Sequence, residues 1–204
     1  GKVIQGALIF AAQQATGYLV IAFFGAYAQK TLGYPATVAW TGTLVAGICW
    51  TIFMFMAGAW SDRIGRAKTF IIGYVLIMIW EAVMWSLLDK GPFLYVMTVA
   101  VLTLPLALTF GPQPAMYSEM FPAEVRYSGA SIAYAIGAVL GGAFAPMIAQ
   151  MIMDATGNPF YISIYLMAMA IPALIALFLL PKGLEDRDLI EHPETNLDEV
   201  KSRV

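Results

Sequence analysis

Six long apolar segments dominate this chain of 204 residues, and they restrict its possible folds more than any other feature. A helix needs about 20 mostly apolar residues to cross the hydrocarbon core of a bilayer. The segments are residues 3–28, 37–60, 69–88, 93–117, 128–153 and 160–180. Because lipid offers no partners for backbone N–H and C=O groups, each segment must satisfy its own by forming a helix. The sequence therefore predicts an all-α integral membrane protein with six transmembrane helices.

The composition supports a lipid environment. Hydrophobic residues make up 60% of the chain and charged residues only 12%, and the mean hydropathy is +0.75. A water-soluble domain has about 45–50% apolar and about 25% charged residues. The chain begins with Gly1 rather than Met, and its first apolar segment is too long for a cleaved signal peptide. We therefore expect a fragment of a longer chain without a cleavable leader.

The basic residues orient the six helices. Nine of them fall on one side of the predicted membrane and two, Lys30 and Lys90, on the other. Lys and Arg accumulate on the cytoplasmic side of membrane proteins. This predicts that both termini are cytoplasmic, in a multi-pass protein of the plasma or inner membrane. Residues 1–180 would form the membrane-embedded part, and the polar residues 181–204 a cytoplasmic tail.

The loop between the second and third helices carries the most specific motif. It runs from Gly58 to Lys68 and reads Gly-Ala-Trp-Ser-Asp-Arg-Ile-Gly-Arg-Ala-Lys. Topology alone explains the basic residues, but it requires neither an acid directly after the helix nor a glycine at both Gly58 and Gly65. This loop resembles the signature of the major facilitator superfamily, which occurs between the second and third helices and recurs between the eighth and ninth.

A second motif follows the fourth helix and indicates which half of such a protein this is. The pattern Glu-x-Phe-Pro-x-x-x-Arg, from Glu119 to Arg126, is similar to the loop between the tenth and eleventh helices of sugar porters and metabolite:proton symporters. The following Arg-Tyr-Ser-Gly, the Gly141–Gly142 pair and Pro146 resemble the metabolite:proton symporters most. By this resemblance the chain is the C-terminal half of a twelve-helix fold.

The resemblance implies a function and a set of partners. It implies secondary active transport of a small metabolite, an organic acid or an osmolyte, coupled to protons by alternating access. The proton gradient would supply the energy, so no cofactor is expected. The partners would be the small-molecule substrate, membrane lipid and an N-terminal six-helix half missing from this chain, with no nucleic acid. The alternatives are a sugar-porter-type carrier and a non-transporting membrane receptor with the same fold.

The charged residues at the predicted cytoplasmic helix ends are candidates for a gate. Opposite charges there can hold the bundle closed and separate when a cavity opens inward, although one exposed pair contributes only about 0–1 kcal/mol. The alternative is that they determine topology and nothing more. The predicted cytoplasmic gate comprises Asp62, Arg63, Gly65, Arg66, Glu119, Glu124 and Arg126.

Polar residues within the spans are candidates for substrate binding, because burying them in lipid is costly. The resemblance implies that the first and fourth helices line the cavity. Gln14 and Tyr18 are four residues apart and share a helix face. The alternative is interhelical hydrogen bonding, worth about 0.6 kcal/mol per bond. The substrate-binding candidates are Gln13, Gln14, Tyr18, Gln113 and Tyr134.

Glu81 is the only ionisable residue well inside a predicted span. A proton-coupled carrier needs a carboxyl group that can load and release a proton, so Glu81 is the proton-coupling candidate. Only seven residues separate it from the end of its helix at residue 88. The alternative is therefore that Glu81 simply reaches the outer membrane interface.

Two further patterns bear on class and packing. The single cysteine, Cys49, lies in an apolar run. The single histidine, His192, lies in the polar tail. The spans therefore lack the His/Glu cluster of a metalloprotease and the histidine of a serine protease. We therefore expect no enzyme and no catalytic or metal site.

In the fifth helix, small residues recur every four positions and predict close approach of another helix: Ala133, Gly137, Gly141 and Ala145.

Overall fold

The computed structural model describes residues 1–180, and these form six helices that are long and apolar enough to cross a membrane. We number them in chain order as α1 (Lys2–Lys30), α2 (Ala36–Ile64), α3 (Arg66–Leu88), α4 (Pro92–Met120), α5 (Ala123–Thr156) and α6 (Phe160–Phe178). The described part of the chain contains no strand. The prediction of an all-α fold with six transmembrane helices is confirmed.

The helices differ from the predicted spans mainly in length. The first five extend past their apolar segments, by five residues at the start of α5, because polar and charged residues continue a helix beyond the hydrocarbon core. The sixth ends at Phe178 rather than at residue 180. The predicted cytoplasmic tail, residues 181–204, lies outside the described residues.

Short turns join the helices and make consecutive helices antiparallel. Pro92 occupies the first turn of α4, where its missing N–H would have had no helical partner. At the end of α5, Gly157 adopts a left-handed conformation with a φ of 64° and its N–H donates to the Met153 carbonyl. This is a common way to end a helix, since glycine has no Cβ to oppose it.

Three of the helices are irregular within the membrane. α1 contains a π-helical segment at Leu19–Phe23, and α5 contains one at Ala138–Ala143, shortly before Pro146. α4 is interrupted at Gly111 and Pro112, whereas Pro105 stands inside a continuous helical stretch. π-helical turns inside α-helices occur frequently at functional sites. The two π segments lie in neighbouring helices, since α1 packs against the π segment of α5.

α1 is the central helix of the bundle. Of its apolar stretch 78% is buried, against 17% for α2. α1 packs against α5 and α6, α2 packs against α4, and α3 packs against both α4 and α6. Large apolar side chains of α2, such as Trp40 and Phe55, are more than two-thirds exposed. In a membrane such a surface faces lipid or another helical unit.

The four-spaced small residues of α5 bring its backbone against α1. A Cβ atom added at Gly137 would lie 3.0 Å from the Ala7 carbonyl oxygen, and one added at Gly141 would overlap the Ala11 carbonyl group. Next to them, a Cβ at Gly6 would lie 3.1 Å from the Cβ of Ala133. The predicted close approach is confirmed, and its partner is α1.

Candidate functional site

The first part of the site is the turn between α2 and α3. Gly65 separates the two helices with a φ of 96°, a conformation that side chains with a Cβ rarely adopt. Its N–H donates to the Ser61 carbonyl at 2.9 Å, and the Ser61 hydroxyl donates to the Gly58 carbonyl at 2.7 Å. The turn therefore needs glycine at this position, and it places the next residue, Arg66, at the first position of α3.

Arg66 joins the ends of three helices through its guanidinium group. Its Nη2 lies 3.3 Å from Asp62 Oδ1 at the end of α2, and its Nη1 forms an ion pair with Glu119 Oε1 at the end of α4. The Glu119 side chain is only 8% exposed, whereas the Asp62 side chain is 64% exposed. We call Asp62, Arg66 and Glu119 the Arg66 cluster; its α4 ion pair is shielded from water and its α2 ion pair is not.

The other predicted gate residues are Arg63, Glu124 and Arg126. Arg63 and Glu124 are exposed, and neither forms an ion pair within residues 1–180. Arg126 donates from Nε to the Phe121 carbonyl at 3.4 Å, which holds the turn between α4 and α5. The structure therefore brings together Asp62, Gly65, Arg66 and Glu119. A gating role for any of these residues stays a prediction.

Two of the predicted substrate-binding residues contact each other in the interior. Gln13 of α1 and Gln113 of α4 are buried, and Gln13 Nε2 donates to Gln113 Oε1 at 2.6 Å. This is the interhelical hydrogen bond that the sequence offered as the alternative to substrate contact. The bond leaves Gln13 Oε1 buried without a hydrogen-bond partner among the described residues. Close by in α4, Tyr117 stacks on Phe10 and its buried hydroxyl also lacks a described partner.

The remaining substrate candidates divide between interior and surface. Gln14 is 3% exposed, and its Nε2 has no hydrogen-bond partner in the described part of the chain. Tyr18 is 43% exposed, and its ring lies over Gly142 of α5, where a Cβ would be 2.5 Å from the ring. Tyr134 is 45% exposed, with its ring 6.4 Å from that of Tyr117. Tyr18 and Tyr134 therefore present partly open rings on α1 and α5.

Glu81 lies inside the bundle. It is 1% exposed, so its carboxyl group does not reach the surface of the bundle. Its Oε1 accepts from the Thr16 hydroxyl of α1 at 3.3 Å, and its Oε2 has no partner among residues 1–180. The backbone carbonyl of Glu81 accepts from Ser163 of α6 at 2.6 Å, and Ser163 in turn accepts from the Trp85 indole at 2.6 Å. Both α1 and α6 thus contact Glu81, α1 at its carboxyl group and α6 at its backbone carbonyl.

The site candidates from the sequence leave out three polar residues near these groups: Thr16, Tyr117 and Ser163. Thr16 lies between Gln14 and Tyr18 and belongs to the polar patch that these residues form with Gln13 on α1. Tyr117 lies in α4, two residues before the motif that begins at Glu119, and its role in the interior depends on its stacking with Phe10. Ser163 is the one serine of α6, whose other residues are apolar apart from Tyr161 and Tyr165. No sequence pattern indicated that it faces Glu81.

The sequence of the chain matches a known protein family. The model of the family described as "Sugar (and other) transporter" matches residues 1–192. The chain belongs to this family. Membership confirms the resemblance to the major facilitator superfamily and assigns the Arg66 cluster to a transporter fold. The six helices correspond to half of that fold.

Curated transport proteins are similar to the chain over most of its length. A putative metabolite transport protein of Haemophilus influenzae is 32% identical over 200 residues, covering 92% of this chain and 45% of that protein. The inner membrane metabolite transport protein YhjE of Escherichia coli is 34% identical over 182 residues, covering 86% and 41%. A citrate-proton symporter of Klebsiella pneumoniae is 29% identical over 160 residues, covering 76% and 36%.

The chain spans less than half the length of these curated relatives. The relatives carry the names of transporters, which supports the expectation that the chain is not an enzyme.

Proposed function

We propose that this chain is the C-terminal half of a secondary transporter that moves a small metabolite together with protons by alternating access. The observation that carries the proposal is a set of buried polar atoms without partners among residues 1–180: Gln13 Oε1, Gln14 Nε2 and Glu81 Oε2. Unpaired polar groups are costly in a lipid-embedded bundle and mark substrate or ion pathways. The groups lie on α1 and α3, inside the bundle rather than toward lipid.

The relatives support an organic acid or an osmolyte as the substrate class and protons as the coupling ion. Two relatives are named as citrate-proton symporters, two as metabolite transport proteins and one as an ectoine/proline transporter. The proton gradient across the membrane would supply the energy. The protein would lie in the plasma or inner membrane with both termini in the cytoplasm, as the distribution of basic residues predicts.

The Arg66 cluster would serve as the cytoplasmic gate. It connects the ends of α2, α3 and α4, so α3 and α4 cannot separate at this end without breaking the ion pair between Arg66 and Glu119. Opening toward the cytoplasm would expose all three side chains to water and weaken their attraction. The cluster therefore favours the state that is closed at this end, and an opposing contact elsewhere must balance it.

A second six-helix half would complete the site. Within residues 1–180, every Lys and Arg lies in a loop or in the first or last turn of a helix, so this half offers no cation in mid-membrane. An anionic substrate would need a positive charge from the other half. The substrate would then bind between the two halves, near the midplane, as in other transporters of this fold.

Uptake by the complete two-half transporter in proteoliposomes tests the proposal. The probes are radiolabelled citrate, betaine and glucose, each with and without an inward proton gradient and a protonophore. We expect uptake of citrate or betaine that rises with the gradient and falls to the level of empty vesicles with the protonophore. Gradient-independent uptake would refute proton coupling, and glucose as the transported probe would favour the sugar-porter alternative. Saturable binding of a probe without flux would favour a receptor.

A further inference from the structure

The contact between Glu81 and Thr16 joins the candidate proton site to the candidate substrate helix. Glu81 belongs to α3, whereas Thr16 belongs to α1, midway between Gln14 and Tyr18. The Thr16 hydroxyl is buried and has two acceptors at similar distances, Glu81 Oε1 at 3.3 Å and the Ala12 carbonyl of its own helix at 3.4 Å. A hydroxyl carries one hydrogen and can donate to only one of them at a time.

The charge state of Glu81 would decide between these two acceptors. A carboxylate accepts hydrogen bonds only, so charged Glu81 would take the hydrogen of Thr16. A protonated carboxyl can donate its own hydrogen to Thr16 Oγ, and the hydrogen of Thr16 then turns to the Ala12 carbonyl. When Glu81 loses its proton to water in an open cavity, the hydrogen of Thr16 turns back to the carboxylate and the Ala12 carbonyl loses it.

The groups that form hydrogen bonds with Glu81 are polar but uncharged. The polar groups in contact with it are Thr16 from α1, Ser163 from α6 and, through Ser163, the Trp85 indole of α3. None of the ion pairs within residues 1–180 includes Glu81. The other charged residues of α1 to α6 and their turns lie in a loop or near a helix end: Lys2, Lys30, Asp62, Arg63, Arg66, Lys68, Asp89, Lys90, Glu119, Glu124, Arg126 and Asp154. An isolated carboxylate with one long hydrogen bond is costly in such an interior, so this arrangement suits the neutral acid.

The Thr16 hydroxyl would transmit the change to the shape of α1. A threonine that donates to the carbonyl four residues before it tends to bend its helix. The π-helical segment of α1 begins at Leu19, three residues after Thr16, so the helix is already irregular next to this hydroxyl. Gly17 packs against the Trp50 ring, where an added Cβ would lie 3.2 Å from the ring. A bend here would move Gln14 relative to Tyr18.

We infer that Thr16 is a positioning residue that couples the protonation of Glu81 on α3 to the conformation of α1. This inference rests on the proposed symport for its purpose, but its two consequences can be measured without substrate. The hydrogen bond of Glu81 must change when the Thr16 hydroxyl is removed. The surroundings of Trp50 must respond to pH through Thr16.

Infrared difference spectroscopy of the purified two-half transporter in lipid vesicles tests the first consequence. Between acidic and alkaline buffer, the wild type should show the C=O stretch of a protonated carboxyl that Glu81→Gln removes. Thr16→Val should shift the frequency of that band, whereas Thr16→Ser, which keeps the hydroxyl, should leave the band at its wild-type frequency. The matched control is Thr103→Val, because the buried Thr103 hydroxyl donates only to the Ala100 carbonyl of its own helix, at 2.6 Å.

Fluorescence tests the second consequence in the same samples. The Trp50 signal is the part of the emission that Trp50→Phe removes. We expect it to change with pH in the wild type, and the change to fall below half in Thr16→Val and in Glu81→Gln. Thr16→Ser and the control Thr103→Val should keep the full change, which a merely structural role for Thr16 would not predict.

Three outcomes would overturn the inference: no Glu81-dependent carboxyl band in folded protein, a band frequency that Thr16→Val leaves unchanged, or a Trp50 response that survives it. If Thr16→Val does not fold, Thr16→Ala is held to the same comparison, with Thr16→Ser as its folded reference. Loss of proton-driven uptake with both signals as expected would overturn the proposed symport and still support the coupling through Thr16.

Discussion

The two ion pairs of Arg66 should contribute unequally to gating, and their burial sets the order. The Asp62 side chain is 64% exposed, so its pair with Arg66 is worth about 0–1 kcal/mol. The Glu119 side chain is 8% exposed and Arg66 is 24% exposed. Removing one partner of a fully buried pair costs about 3–5 kcal/mol. Because Arg66 keeps some contact with water, we expect a cost just below that range, about 2–3 kcal/mol.

These energies translate into populations of the closed state. Since about 1.4 kcal/mol changes an equilibrium constant tenfold, Glu119→Gln should shift the equilibrium toward the inward-open state by about 30- to 140-fold. Asp62→Asn should shift it by no more than about fivefold. Asp62→Asn should therefore reduce transport modestly without lowering membrane insertion, and Glu119→Gln should reduce it more.

The equilibrium can be measured by labelling a cysteine placed in the cytoplasmic cavity of the complete transporter, with the native Cys49 replaced. The matched control is Glu124→Gln, which makes the same chemical change five residues later at an exposed side chain without an ion pair in the described part of the chain. Equal labelling rates for Glu119→Gln and Glu124→Gln would refute the argument from burial. Unchanged transport in Asp62→Asn would refute a gating role for that residue.

Two other predictions concern packing and polar contacts between helices. Gly141→Val should force α1 and α5 apart and cost about 1–3 kcal/mol, seen as a lower thermal midpoint in detergent; Gly47→Val, at a position where an added Cβ meets nothing within 4 Å, should leave the midpoint unchanged. A double-mutant cycle with Gln13→Leu and Gln113→Leu should give a coupling of about 0.6 kcal/mol in an unfolding titration. A coupling of zero would mean that their 2.6 Å hydrogen bond does not stabilise the bundle.

The sequence predicts the number and class of helices well because lipid imposes a simple rule of length and apolarity. It predicts their ends less well, since α2 continues to Ile64 through residues that leave the hydrocarbon core. The close approach of α5 to another helix follows from glycine spacing alone. That the partner is α1 follows only from the three-dimensional packing.

The candidate site is predictable as a set of residues but not as a set of contacts. The motif from Gly58 to Lys68 and the motif from Glu119 to Arg126 both indicated charges at one end of the bundle. Which of these charges meet depends on how each helix is rotated about its axis. Glu81 shows the same limit. Its distance from the helix end suggested the interface, whereas the face it occupies is covered by Thr16 from α1 and Ser163 from α6.

The π-helical segment of α1 has a consequence for comparing this helix with its relatives. A π turn bonds residue i to residue i+5 and so contains one residue more than an α turn. Residues before Leu19 and residues after Phe23 therefore do not follow one continuous helical wheel. A face that contains Gln14 and Tyr18 does not continue at the next α-helical positions. Relatives with a regular α-helix here should be one residue shorter between Tyr18 and Phe24, and a gap in that segment of an alignment marks a change of geometry rather than a loop.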